Sequence, residues 1–350
     1  MTNDHILRRR GINYDVGTFT RGRASSSRDH FDPDIVRREM EIIKRDLHCN
    51  AVRISGEPLP RLVAAAEYAL AQGLEVWFSP AKIDANEQET LDYFAECAKA
   101  AESLRKQSDH LVFVTGCELT FFMKGLVDGA TSFDRIATFM KPWKLLKSTI
   151  VRGSFQKRLN RFLSKAAAVV REHFHGSVTY ASGTWENVDW TPFDYVGIDY
   201  YRDAHNKANY AVKLRDYFKH GKPVIVLEFG CCTYQGAEDK GGYGWNIVDR
   251  SAVPPQLKGN FVRDEAMQAR QISELLDIFE AEKINGAFLF TFVSVTYPYN
   301  EQTSYDLDKA SYSVVKTYTD QTGTAYNGMP WEPKASFHAV ADYYAKLRSR

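Results

Sequence analysis

The chain has 350 residues, of which 44% are hydrophobic and 25% are charged, and its formal net charge at pH 7 is +1. Phosphate binding needs clustered positive charge, so a nearly neutral chain predicts no nucleic-acid partner. The short basic runs at residues 8–10 and 21–23 are typical of solvated surface. No run approaches the roughly 18 consecutive apolar residues of a membrane span, so we expect no membrane partner.

The number of cysteines and the composition of the first residues indicate the cellular compartment. The chain has five cysteines, an odd number, and their spacing is not that of a disulfide framework. This pattern predicts reduced thiols. Cys231 and Cys232 are adjacent, and a disulfide between neighbours would strain the backbone. The first ten residues also lack the apolar segment of a secretory signal. These features together predict a cytoplasmic protein.

Short β-branched runs alternate with longer helical patterns along the whole chain, which indicates βαβ units and a parallel sheet. Predicted helices begin at Asp32 and Asn86 and also cover about residues 60–72, 156–172 and 265–283. Asp32 precedes Pro33, and Asn86 precedes Glu89 by three residues; both are helix-start signals. Eight strands are predicted, at residues 11–14, 51–54, 74–78, 111–114, 177–180, 195–200, 223–228 and 286–290.

Eight such units predict an α/β fold, a single (β/α)₈ TIM barrel over residues 1–350, in preference to an open doubly wound sheet. No glycine-rich phosphate loop follows the first strand, which disfavours the usual nucleotide-binding folds. Long βα loops are predicted after strands 4, 7 and 8, at residues 119–155, 229–262 and 293–333. All three belong to the C-terminal face, where barrel enzymes hold their sites.

Two carboxylates follow apolar strands on that face. Glu118 ends the fourth strand and Glu228 ends the seventh. A structural glutamate at a strand end is common, but two on one face favour catalysis. Glycosidic cleavage needs such a pair, because one carboxyl protonates the leaving oxygen while the other attacks the anomeric carbon or activates water.

Four stretches carry a resemblance to a known group of enzymes. They are residues 113–119 (FVTGCEL), 222–230 (KPVIVLEFG), 193–201 (FDYVGIDYY) and 331–337 (WEPKASF). They resemble the retaining glycoside hydrolases of clan A, and their motifs are most similar to those of the β-mannanase-type family 113. The resemblance extends over nearly the whole predicted barrel.

The resemblance implies roles for individual residues. It makes Glu118 the general acid/base and Glu228 the nucleophile. Arg53, at the end of the second strand, matches an arginine that supports the nucleophile, and such a cation would keep Glu228 ionised. Tyr200 or Tyr201 matches a tyrosine that hydrogen-bonds the nucleophile, and the sequence leaves both open.

Two positions depart from the pattern. Many clan members have asparagine before the acid/base, where this chain has Cys117, whose thiol is a weak hydrogen-bond donor. Many also have a tryptophan at the end of strand eight, and here residues 292–294 read FVS. Trp185 and Trp245 follow other strand ends, and we expect them to supply sugar platforms instead.

The remaining candidates are acidic. Asp199 and Asp15 end strands on the same face, so they bind sugar hydroxyls, orient neighbours or cap loops. No metal site is predicted, because the first strand carries Asn13 and Asp15 rather than the His-x-His pair of metal-dependent barrel hydrolases. No G-x-S-x-G turn of a serine hydrolase is present either.

The sequence therefore predicts a retaining, cofactor-free glycoside hydrolase acting on a carbohydrate or glycoside, with a β-linked substrate implied by the resemblance alone. Its two carboxyl groups are expected about 5–5.5 Å apart. One alternative is a carbohydrate-binding or regulatory barrel without turnover. Another is a transglycosidase that uses the same two carboxylates. Sugar identity, exo or endo action and oligomeric state stay open.

Overall fold

The computed structural model describes residues 7–20 and 26–348. Eight parallel strands form a closed barrel in which each strand pairs with its neighbours in chain order and the last pairs with the first. The predicted (β/α)₈ barrel is confirmed. The strands are β1 (Arg9–Asp15), β2 (Ala51–Gly56), β3 (Glu75–Pro80), β4 (Leu111–Cys117), β5 (Ser177–Gly183), β6 (Val196–Asp199), β7 (Val224–Phe229) and β8 (Gly286–Leu289).

Helices surround the barrel and begin where the sequence signals them. The Asp32 side chain accepts hydrogen bonds from the backbone N–H groups of residues 34 and 35, and Asn86 and Glu89 form the predicted capping box. The helices are α1 (Pro33–Arg45), α2 (Leu59–Ala71), α3 (Glu87–Arg105), α4 (Leu119–Phe122), α5 (Ser132–Phe139), α6 (Pro142–Arg152), α7 (Phe155–His173), α8 (Tyr210–Arg215), α9 (Glu265–Ala281) and α10 (Ala335–Arg348).

The lower half of the barrel is filled by large side chains. Trp77 lies at its centre, with ring centroids 5.0 Å from Phe288 and 5.3 Å from Tyr195. Below it, the buried Arg9 donates a hydrogen bond of 2.8 Å to Glu75 and stacks over the Trp77 ring. The barrel is therefore closed at its N-terminal end, which leaves the C-terminal end for a site.

The burial of Arg9 corrects one expectation. The basic run at residues 8–10 was expected to be solvated, but Arg9 is only 6% exposed because its guanidinium pairs with Glu75 inside the barrel floor. Arg21 and Arg23, the second basic run, lie outside the described residues. None of the five cysteines forms a disulfide, as predicted. Among the described residues, no helix has both the length and the apolar composition needed to span a membrane.

The long βα loops have local structure of their own. The loop after β4 holds α4, α5 and α6, and a two-stranded sheet joins Val248–Asp249 to Gln256–Leu257 in the loop after β7. The loop after β8 contains a second small sheet of Val315–Thr317 and Trp331–Pro333. These segments build the walls above the C-terminal end of the barrel.

A buried charge cluster fixes the loop after β8. Lys334 lies 3.1 Å from Asp308, and both side chains are inaccessible to solvent. Arg263, just before α9, also contacts Asp308 at 2.9 Å and Asp306 at 2.7 Å. Burial lowers the pKa of Lys334, while the Asp308 charge opposes that effect. The cluster ties this loop to α9 and α10.

Candidate active site

A cavity of about 590 Å³ opens at the C-terminal end of the barrel. Its volume is within the range of small-molecule sites, roughly 300–1,000 Å³. Strand ends and the long loops contribute its lining. The sequence-predicted candidates brought together here are Glu118, Glu228, Arg53, Tyr201, Trp185, Trp245, Asp199 and Asp15, whereas Tyr200 is not among the lining residues.

Glu228, near the end of β7, is held through both carboxylate oxygens. Arg53 Nη1 donates to Oε1 at 2.9 Å, and the Tyr201 hydroxyl donates to Oε2 at 3.0 Å. Arg53 is itself fixed, because it also donates to Ser79 Oγ at 3.2 Å and to Asn13 Oδ1 at 3.3 Å. A buried guanidinium and a phenol thus fix the orientation of the carboxylate, with one donor on each of its oxygens.

The two tyrosines that the sequence left open have different positions. Tyr201 points into the cavity, whereas the Tyr200 hydroxyl donates to the backbone oxygen of Tyr210 at 2.9 Å. The Tyr200 and Tyr210 rings also pack with centroids 4.4 Å apart. Successive side chains of an extended segment point to opposite sides, so one tyrosine lines the cavity and the other packs outside the barrel. The structure thus places Tyr201, not Tyr200, against Glu228.

Glu118 lies in a turn whose shape depends on buried partners. It has a left-handed backbone with φ of 42° directly before α4. The next two N–H groups have partners: that of Leu119 donates to the Tyr180 hydroxyl at 2.8 Å and that of Thr120 to Glu186 Oε1 at 3.1 Å. Tyr180 in turn donates to Glu186 Oε2 at 2.8 Å. This network holds the Glu118 backbone in a conformation that is otherwise unfavourable for a non-glycine residue.

The electrostatic setting of Glu118 is unlike that of Glu228. Burial raises the pKa of Glu118 well above its ordinary value, and the negative charges of Asp199 and Glu228 raise it further. Burial is thus a larger cause of the raised pKa than the charge of Glu228. Glu118 is therefore a carboxyl group suited to holding a proton, while Glu228 has a cation at bonding distance.

Asp199 is among the residues that line the cavity, but its side chain is inaccessible to solvent. Its contacts are with neighbouring side chains, one of the roles that the sequence left open. The Cys117 thiol donates to Asp199 Oδ2 at 3.3 Å and lies 3.6 Å from Glu228 Oε1. Burial raises the pKa of Asp199 and also that of the Cys117 thiol. Cys117 therefore acts as a protonated link between the two carboxylates.

These three residues also form the one cluster with metal-ligand geometry among the described residues. One ligand atom each from Cys117, Asp199 and Glu228 lies within 4.8 Å of the others. Arg53 Nη1 is 2.9 Å from Glu228 and 3.9 Å from Asp199, so a guanidinium charge already faces these carboxylates. A metal cation would be repelled by that charge, and the donor set fits it poorly.

Asp15 and the loop after β1 form one wall. Asp15 Oδ1 accepts a hydrogen bond of 3.0 Å from the Gly17 N–H, which is the loop-capping arrangement weighed from the sequence. Burial raises the pKa of Asp15. Thr18, Ser26 and Ser27 of the same loop line the cavity and add hydroxyl groups. Nothing in the composition of this loop marks it as functional, so its part in the cavity was not predictable from the sequence.

Aromatic side chains form the other walls. Trp185 stacks on Phe121 with centroids 4.4 Å apart, and Trp245 meets Phe133 edge to face at 6.3 Å. At the end of β8 the relevant aromatic is Phe290, which lines the cavity. Of residues 292–294, Val293 and Ser294 line the cavity, whereas Phe292 is fully buried against Trp331.

Comparison with known proteins gives a fold relationship. No family model and no curated protein matches the chain. A GH113 β-1,4-mannanase of known structure matches with a TM-score of 0.61 and 14% identity, over 99% of this chain and 100% of that chain. The GH113 β-mannanase AaManA from Alicyclobacillus acidocaldarius, in complex with ManMIm, matches with a TM-score of 0.58 and 16% identity, over 99% and 100%.

A third solved structure extends the relationship. The glycoside hydrolase family 5 enzyme PbGH5A from Prevotella bryantii B14 matches with a TM-score of 0.52 and 12% identity, over 98% of each chain. The chain shares the fold of these glycoside hydrolases. At such low identity the similarity concerns the barrel as a whole, and the chemistry has to be argued from the side chains.

Proposed function

We propose that the protein is a retaining glycoside hydrolase in which Glu228 is the nucleophile and Glu118 is the general acid/base. The observation that carries the proposal is the contrast between two carboxyl groups in one cavity. Glu228 accepts hydrogen bonds from the Arg53 guanidinium and the Tyr201 hydroxyl, one on each carboxylate oxygen. Burial and neighbouring carboxylates raise the pKa of Glu118, which favours its protonated form. In glycosidases, such a difference between the surroundings of two carboxyl groups distinguishes the acid from the nucleophile.

The first half-reaction uses both groups in their resting states. Glu118 gives its proton to the glycosidic oxygen as the bond to the anomeric carbon breaks. A Glu228 oxygen attacks that carbon from the opposite face, and a covalent glycosyl ester forms. The leaving alcohol departs with the proton from Glu118, so charge and atoms balance.

The second half-reaction reverses the roles. Esterification removes the negative charge of Glu228, one of the two carboxylate charges that raise the Glu118 pKa most. Glu118, now ionised, takes a proton from water while the water oxygen attacks the anomeric carbon. Glu228 leaves as a carboxylate, again stabilised by Arg53 and Tyr201. Two inversions give net retention.

The substrate class follows from the walls of the cavity. Stacked and edge-on aromatic rings at Trp185 and Trp245 suit the apolar faces of sugar rings, while the hydroxyls of the loop after β1 suit their polar edges. We propose a β-linked glycoside as substrate, in line with the β-mannanases that share the fold.

The test uses a panel of aryl β-glycosides with good and poor leaving groups. Glu228→Ala should lose turnover of every member. Glu118→Ala should keep more activity on activated substrates, because a good leaving group needs little protonation. Azide should rescue its second step and give a β-glycosyl azide, whereas Glu228→Ala with azide should give the α-azide. Glu301→Ala, an exposed glutamate of the loop after β8, is the matched control and should behave as wild type.

Other outcomes would replace the proposal. A wild-type protein that binds the glycosides but turns over none would be a carbohydrate-binding barrel. A wild type that forms mainly transfer product when a sugar acceptor is added would be a transglycosidase. Equal losses in Glu118→Ala on activated and unactivated substrates, without azide rescue, would remove the acid/base role of Glu118.

A further inference from the structure

The helix α6, in the loop after β4, exposes an apolar face that nothing in the described structure covers. Trp143, Leu146 and Ile150 are 64%, 62% and 75% exposed, and Met140 just before the helix is 58% exposed. Spacings of three and four residues place the three helical side chains on one face. The opposite face, which includes the buried Ser148, packs against the protein. Large apolar side chains concentrated in this way mark an interaction surface.

The segment that carries this face has charges of one sign. From Arg135 to Arg171 inclusive, the sequence contains ten lysines and arginines and no aspartate or glutamate, although the whole chain is nearly neutral. Three of them pair with carboxylates of other elements: Arg135, Lys165 and Arg171. The three lysines nearest the face are in none of the ion pairs among the described residues: Lys141 just before the helix, Lys144 with its Nζ 5.5 Å from the Trp143 ring, and Lys147. The surface is therefore apolar at its centre and cationic at its edges.

We propose that α6 is an interfacial helix that docks the protein on an anionic lipid surface. A helix with tryptophan and aliphatic residues on one side and lysines beside them inserts its apolar face at the headgroup boundary, where the lysines meet lipid phosphates. A second copy of the chain fits less well, because a symmetric interface would bring the same lysines of both copies together. An 11-residue helix lies on the surface and does not span it. The proposal therefore revises the expectation of no membrane partner, which rested only on the absence of a spanning apolar run.

Docking would place the cavity beside the lipid. Phe133 and Ile136 of α5 line the cavity, and α5 leads into α6 after only two residues. The orientation is therefore fixed by a short connection and not by a flexible tether. The inference does not depend on the proposed chemistry, since no catalytic residue lies on α6.

The test is co-sedimentation of the full chain with vesicles. Wild-type protein should bind vesicles of phosphatidylcholine mixed with phosphatidylglycerol, bind pure phosphatidylcholine far more weakly, and dissociate as salt rises. Replacing Lys141, Lys144 and Lys147 by glutamine should weaken binding about fivefold for each lysine. Replacing Trp143, Leu146 and Ile150 by serine should abolish it. Val212→Ser, on α8 and 60% exposed, is the matched control and should bind as wild type.

Several results would overturn the proposal. If wild-type protein does not sediment with the anionic vesicles, the lipid surface is not the partner of this face. Binding that is unchanged in both triple variants would show that another surface is responsible. A wild-type dimer in analytical ultracentrifugation that the serine variant converts to monomer, without vesicle binding, would assign the face to a second copy. The residues changed in the two triple variants are exposed, apart from the half-buried Lys144, so their melting temperatures should stay close to that of the wild type.

Discussion

Removing the Tyr201 hydroxyl isolates one of the two groups that hold Glu228. Tyr201→Phe deletes the hydrogen bond of 3.0 Å to Glu228 Oε2 and keeps the ring that packs against Tyr312. Arg53 still contacts the other oxygen at 2.9 Å, so the carboxylate keeps its cation. The variant therefore changes the orientation and stabilisation of the nucleophile but little else.

The size of the effect follows from the type of bond lost. A hydrogen bond to a charged group contributes about 1.5–3 kcal/mol. Glu228 keeps about 15% of its side-chain exposure, so water can replace part of the missing bond. We therefore expect the lower half of that range, about 1.5–2 kcal/mol, which corresponds to a loss of roughly 10- to 30-fold in kcat/KM.

The neighbouring tyrosine supplies the control. Tyr200→Phe also removes one hydroxyl, but that hydroxyl bonds the Tyr210 backbone outside the cavity. It should lower the melting temperature slightly and leave kcat/KM within about twofold, since the bond it loses lies outside the site. Both variants are assayed on the same aryl glycoside. Equal kcat/KM losses in the two variants, or no loss in Tyr201→Phe, would refute the assignment of Tyr201 to the nucleophile.

Three further predictions concern acidity, the thiol and the buried charge cluster. The pKa of Glu118 is raised in the folded protein above its ordinary value of 4.5. The free energy of unfolding therefore falls as the pH rises from 4.5 through the raised pKa. Glu118→Gln should therefore melt higher than wild type above that range and equally below pH 4.5; a pH-independent difference would contradict this. Cys117→Ser keeps a hydrogen-bond donor to Asp199, so its kcat/KM should stay within about tenfold of wild type. Cys117→Ala leaves the buried Asp199 carboxyl without that donor, so its kcat/KM should fall further. Lys334→Met should cost about 3 kcal/mol in urea unfolding, because a buried pair with Asp308 is broken. The exposed Arg37→Met should cost far less than Lys334→Met, and equal costs would refute the argument from burial.

The strands and helix starts were predictable because their signals are local. Short apolar runs mark the barrel strands, and the capping residues Asp32 and Asn86 act on N–H groups within three residues of themselves. The order of the elements then allows few topologies, and the barrel follows. The placement of Glu118 and Glu228 in one cavity was predictable for the same reason, since each follows an apolar strand on the same face.

Other features depend on contacts between distant segments. The choice between Tyr200 and Tyr201 turns on where β6 ends, and a shift of one residue reverses the direction of every side chain. Tyr180 and Glu186 hold the Glu118 turn from about 60 positions along the chain. No local sequence pattern predicts this network. The burial of Arg9 likewise requires Glu75 from another strand.

Trapping the glycosyl-enzyme tests the central claim most directly. A 2-deoxy-2-fluoro aryl β-glycoside with a good leaving group slows both steps, and the leaving group makes the second step the slower one, so the ester accumulates. Mass spectrometry of the intact protein and of its peptides locates the sugar. The account predicts one added fluorosugar on the peptide that contains Glu228, and none in Glu228→Ala. A label on Glu118, or rapid turnover to a product of inverted configuration without any label, would contradict it.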